Sequence, residues 1–185
     1  MNAWVRAPVL AGLLALALSE AAGQAAPGAP QPDAFLARLV GDWDMPGTFA
    51  GKTVHYRGTG RWLLKNGWLC LSLLDLGVPS AYQADVYLGH DAKQDDYIAH
   101  WLDQFGAAGA RVVGTGQRDG QRLVLLFPYA DGAFRDTLTL APDGNSGTLL
   151  IESQRAEGSW TTFASYRLGR IHHLPSPAAA APGVQ

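Results

Sequence analysis

From Gly41 onward the chain alternates between short apolar or alternating runs and clusters of turn residues. The turns include Asn66-Gly67, Asp119-Gly120, Asp131-Gly132, Pro142-Asp143-Gly144 and Glu157-Gly158. Asn-Gly and Asp-Gly tolerate the positive φ of tight hairpins, and the runs between them are rich in β-branched and aromatic residues, as strands are. The pattern predicts strands near 41–46, 52–64, 68–76, 81–90, 95–103, 109–118, 121–129, 133–140, 146–155 and 159–170. Along the fourth, Tyr82, Ala84, Val86 and Leu88 share one face, and Gln83, Asp85 and Tyr87 the other. In the fifth, Tyr97, Ala99 and Trp101 oppose Ile98, His100 and Leu102. In the last, Trp160, Thr162, Ala164 and Tyr166 oppose Thr161, Phe163, Ser165 and Arg167.

Both faces carry bulk and the loops are short. That favours an all-β fold, an antiparallel up-and-down β-barrel of about ten strands, whose closure removes exposed edges. An open sandwich is the alternative. One short N-terminal helix is expected, with Asp33 capping a turn that points Phe35, Leu36 and Leu39 inward, and Gly41 ending it.

A barrel of about this strand number has room for one small ligand. Every aromatic residue except Trp4 lies between Phe35 and Tyr166. Trp62, Trp68, Tyr87, His100, Trp101 and Phe127 are the candidate ligand-binding residues. The competing expectation is that the aromatic side chains fill the interior and leave no cavity.

The ends of the chain bear on compartment. Arg6, the apolar run Val9–Leu18 and the small residues after it read as a signal peptide over 1–25, with cleavage within 21–26. The apolar run is shorter than the ~20 residues a spanning helix needs, and no cysteine stands near the cleavage region to carry a lipid. A periplasmic or extracellular protein without a stable membrane anchor is therefore expected. Residues 26–32 and 175–185, rich in Pro, Ala and Gly, read as a disordered linker and tail, leaving 33–174 as the folded unit.

Composition narrows the function classes. Of 185 residues, 48% are hydrophobic, enough to fill a core. Fourteen basic against sixteen acidic residues give a net charge of −2, so the basic footprint of a nucleic-acid binder is missing. The one cysteine, Cys70, excludes a disulfide within the chain, and its setting in Trp68–Leu74 marks it as a buried small hydrophobe.

The segment Leu39-Val40-Gly41-Asp42-Trp43 resembles the opening Gly-x-Trp motif of lipocalins and their calycin relatives. That resemblance implies that Trp43 closes one barrel end beside an arginine of the last strand, with Arg167 and Arg170 as candidates. A longer resemblance is to a family of secreted bacterial proteins of unknown function with a lipocalin-like barrel. It rests on Leu88–Asp91, Tyr97–Gly106, Gly114-x-Gly116, Asp119-Gly120, Phe127–Tyr129, Asp131-Gly132, Phe134–Thr137 and Phe163-Ala164-x-Tyr166. It implies a fold and brings no activity with it.

Several polar groups are candidates for chemistry. His100 and Asp103 sit three apart on a strand and point to opposite faces, so they form no dyad unless the strand bends. Arg135 and Asp136 also oppose each other, so one of the two faces the barrel. The loop His90–Asp96 gathers carboxylates and an imidazole but lacks the pattern of a calcium loop. His172 and His173 follow the last strand, where nitrobindin-type haem proteins carry a late histidine ligand. Gly47–Thr53 misses a P-loop by one residue, and Gly144–Thr148 and Gly114–Gly116 lack the closing glycines of a nucleophile elbow and a dinucleotide fingerprint. No catalytic residue and no metal-ligand set is assigned. The leading expectation is an exported barrel that binds a small, mostly apolar molecule. The alternatives are a structural or accessory envelope protein, a haem-binding barrel, and an enzyme using His100.

Overall fold

The computed structural model describes residues 31–172. The expected signal peptide, most of the linker, His173 and the tail lie outside the described residues. The body is a closed antiparallel barrel of ten strands in up-and-down order: β1 (Gly41–Phe49), β2 (Lys52–Leu63), β3 (Trp68–Asp75), β4 (Gln83–Asp91), β5 (Asp96–Asp103), β6 (Val113–Asp119), β7 (Arg122–Phe127), β8 (Phe134–Leu140), β9 (Ser146–Gln154) and β10 (Trp160–Ile171). β1 pairs with both β2 and β10, which closes the sheet and leaves no edge strand among the described residues.

Local chemistry explains where the strands start and stop. β1 runs past Pro46 because its ladder with β10 skips Met45 and Pro46, where the proline has no N–H to give. β6 starts later than the sequence pattern suggests, since Gly109–Arg111 forms a single 3-10 turn. In β10 the register slips between Thr162 and Ala164, a β-bulge that leaves Phe163 unpaired against β9.

One end of the barrel is plugged by α1 (Ala34–Ala37). The Asp33 carboxylate accepts from the Leu36 N–H at 2.8 Å, capping the helix. Phe35, Leu36 and Leu39 are buried there against Trp43 and the inward rows of the strands. The Trp43 indole donates to the Leu39 carbonyl at 2.9 Å. Gly60 lets the helix exit pass close to β2, since a Cβ at that position would lie 2.0 Å from the Leu39 carbonyl oxygen. Arg118 reaches under the helix, bonding the Tyr97 hydroxyl and lying 5.8 Å from the Phe35 ring centroid. The core below the plug is mostly aliphatic, built on Leu69, Leu71, Val86, Leu88, Leu123 and Leu149, with Tyr56 and Tyr97 buried among them.

Candidate functional site: an aromatic cavity at the open mouth

Strands β1, β3, β5, β7 and β9 end at the barrel mouth opposite the helix, and β2, β4, β6, β8 and β10 begin there. The inward residues nearest that mouth are aromatic. Phe49 ends β1, Tyr82 precedes β4, and Trp101 and Asp103 end β5, with Phe105 just beyond. Phe127 ends β7 and Tyr129 follows it. Phe134 and Asp136 open β8, Phe163 lies early in β10 and Tyr166 midway along it. Together with Ile151 they line a cavity of about 270 Å³. This is close to the lower limit of small-molecule sites.

The rings form a nearly continuous collar. Tyr129 meets Phe134 edge-on at 5.7 Å, Phe134 meets Phe163 at 5.2 Å, and Phe163 meets Phe49 at 4.9 Å. Phe49 stacks on Tyr82 at 5.9 Å, and Tyr82 leans on Phe105 at 6.0 Å. Edge-to-face and offset contacts of this kind hold rings in place. The β10 bulge is what admits Phe163, because strict alternation would place it opposite Ala164, on the outside. Phe105 is the exposed lip of the collar at 73% exposure.

Two carboxylates line the cavity. Asp103 accepts from the Phe105 N–H at 3.0 Å, which fixes the turn after β5. Asp136 is 5% exposed, and its carboxylate meets no donor among the described residues. Burial alone pushes its pKa up from 3.8 to about 7. The neighbouring phenols are shifted upward as well. Burial raises Tyr166 and Tyr129, and the Asp136 charge adds to both. Tyr82 is raised by burial, offset by the Trp101 indole N–H that donates to its hydroxyl at 2.9 Å. No lysine, arginine or histidine lines the cavity among the described residues.

The residues expected from sequence to bind a ligand divide by strand face. Trp101 and Phe127 line the cavity. Trp62 has the inward parity of Tyr56, Gly58 and Gly60 but packs on the core toward the plugged end. Trp68, Tyr87 and His100 have the opposite parity from the buried rows Leu69–Leu71–Leu73, Val86–Leu88 and Tyr97–Ala99, so they lie on the outer face. Trp68 covers Gly89 there, where a Cβ would sit 3.1 Å from the indole. His100 Nε2 is tied to the Ala110 carbonyl at 2.6 Å. It therefore shares no cleft with Asp103. Arg135 also faces outward, bonded to Glu152 at 2.7 Å and lying 4.4 Å from the Trp160 ring centroid, and Asp136 is the member of that pair that turns in. At the plugged end Arg170 lies over Trp43 while Arg167 is exposed.

The histidine arrangement bears on haem. His172 follows β10 at the plugged end, His100 faces outward, and no histidine among the described residues offers an imidazole to the cavity. These side chains do not fit an axial haem ligand in the mouth. The His90 ring stacks on Tyr97 at 4.6 Å and contacts Asp33 and Asp95. No group of three metal-ligating side chains converges among the described residues.

Sequence reasoning overlooked Phe49, Tyr82, Phe105, Tyr129, Phe134, Phe163 and Tyr166, and did not assign Asp103 or Asp136 to a binding site. Their common signal is position: nearly all stand within a few residues of a turn at the same barrel end.

No family model matches the chain, and no curated protein matches it significantly. Seventeen solved chains match its structure. One, the crystal structure of Rv2717c from M. tuberculosis, has a TM-score of 0.52 and 14% sequence identity, covering 77% of this chain and all of the other. At that identity the likeness is one of fold alone.

Proposed function

We propose that this protein is a binding barrel that holds one small, mostly apolar molecule in its mouth cavity. The observation that carries the reading is the aromatic-lined space of about 270 Å³ holding a buried carboxylate that meets no donor among the described residues. A purely structural barrel gains nothing by leaving such a group in an open cavity, because an unpaired buried polar group costs stability. The reading also includes export: the N-terminal run over 1–25 has the character of a leader, and the chain works outside the cytoplasm.

The test is a thermal-shift and calorimetric screen of the full chain against one- and two-ring aromatic alcohols, amines, amides and acids, with short alkanols added. At least one class should raise the melting temperature in a saturable way. Phe163→Trp, which fills the cavity, should abolish the shift while the barrel stays folded. A screen with no saturable shift overturns the binding reading. Export is tested separately, by intact mass of the protein recovered from the periplasm or medium. A chain starting within 21–26 is expected, and a full-length cytoplasmic chain would contradict it.

A further inference from the structure

We propose that the molecule taken into the mouth cavity is a small flat amine, bound as its cation with the ammonium against Asp136 and its rings within the aromatic collar. This deepens the binding reading and rests on it.

The charge inventory of the cavity has one sign. Asp136 and Asp103 line it, and no basic side chain among the described residues does. Among the described residues the carboxylate of Asp136 has no donor, which leaves its hydrogen-bonding capacity open to a ligand. Folding leaves this group only 5% exposed, so a cation arriving beside it gains attraction with little further desolvation cost on the protein side. That cost is what usually cancels the gain of a buried pair. The ring faces of Phe49, Phe134 and Phe163 present negative potential, which also favours a cation. An anion meets the reverse: two like charges, and an indole N–H at Trp101 already committed to Tyr82. Fatty acids and aromatic acids are thereby disfavoured, and a neutral alcohol can donate a hydrogen bond to Asp136 but brings no charge to balance its ionised form.

The size of the cavity limits the amine to about two fused rings. The groups that face Asp136 or share its cavity are Asp103 from β5, Tyr82 ahead of β4, Tyr129 after β7 and Tyr166 from β10. The three phenols are shifted upward and stay neutral near neutrality. Binding of an amine should therefore strengthen as the pH rises through the Asp136 titration near 7.

The experiment is calorimetric titration of the full chain with three compounds sharing one skeleton: 2-naphthylmethylamine, 2-naphthylmethanol and 2-naphthoate. The amine should bind at least about tenfold more tightly than either of the others. Its affinity should rise between about pH 6 and pH 8 as Asp136 ionises, while that of the alcohol stays flat. Asp136→Asn should weaken the amine by about tenfold or more and leave the alcohol within about twofold. If that variant does not fold, the wild-type ranking and its pH dependence decide alone. Equal or tighter binding of the alcohol or the acid overturns the cation assignment and leaves the binding reading standing. Failure of all three overturns the assignment, and the broader screen then judges the cavity itself.

Discussion

The Arg170 guanidinium lies over the Trp43 indole, 4.2 Å from the ring centroid, and its nitrogens bond three backbone carbonyls. The acceptors are Val40 at 2.7 Å, Arg38 at 2.5 Å and Gly144 at 2.9 and 3.0 Å. One side chain thus joins the last strand, the helix exit and the β8–β9 turn over the plugged end. The planar fork matters as much as the charge, because an ammonium cannot reach three carbonyls while stacking. Arg170→Ala should cost about 3 kcal/mol, combining the stacking and the net worth of the hydrogen bonds. That corresponds to a fall of roughly 10 °C in melting temperature. Arg170→Lys should recover less than half of the loss, and Arg167→Ala should be near neutral. Calorimetric melting of the three variants checks the order.

Much of this geometry was legible by counting residues along strands. Tyr166, Leu168 and Arg170 share a face, so Arg170 rather than Arg167 had to meet the buried Trp43. The same count puts His100, Tyr87 and Trp68 on the outside, opposite Ala99, Val86 and Leu69. Ring size and the imidazole mark those three as candidates, and only their parity places them outside. The inward turn of Asp136 follows from its parity with Leu138 and Leu140. Other features left no such trace. No glycine or proline marks the slip between Thr162 and Ala164 that brings Phe163 into the collar. The cavity itself is a balance of volumes among side chains from different strands, which no single strand's pattern reports.

Cys70 lies on the outer parity of β3, yet it is fully buried. Its thiol is held above the ordinary value by burial, with the Ser72 hydroxyl 3.7 Å away working in the opposite direction. A buried thiol with a raised pKa is a poor nucleophile. Native protein should therefore react with a thiol-specific chromogenic disulfide at least about a hundredfold more slowly than unfolded protein. Addition of a cavity ligand should leave that rate unchanged. A fast native reaction would contradict the burial.

Gly114 sets the position of one cavity wall. A Cβ there would lie 2.6 Å from the Phe127 ring, closer than carbon atoms approach, so Gly114→Ala has to move that ring. Phe127 is packed in the inward row behind Leu125, and the open side is the cavity. The ring should swing into that space. The expected outcome is a destabilisation of about 1–3 kcal/mol, typical of overpacking, together with a loss of ligand affinity greater than that of Gly120→Ala, which lies in the distant β6–β7 turn. Melting and titration of the two variants side by side separate a blocked cavity from a general loss of stability.

Asp136 makes the stability of the barrel depend on pH in an unusual direction. Its folded pKa is about 7, against 3.8 for an ordinary aspartate. The folded state therefore holds a proton over a range where the unfolded chain has released it. Stability contributed by the neutral carboxyl is fully present below the unfolded value and declines as the pH rises toward about 7. The full cost of ionising the group in place is of order 4 kcal/mol. Asp136→Asn removes the charge while keeping the shape. Relative to wild type, the variant should be close to neutral at about pH 4 and several kcal/mol more stable at about pH 8. Denaturant melts of both proteins across that range provide the measurement. A difference that stays flat with pH would mean that water or a donor reaches the carboxylate, and that the mouth is wetter than the aromatic collar implies.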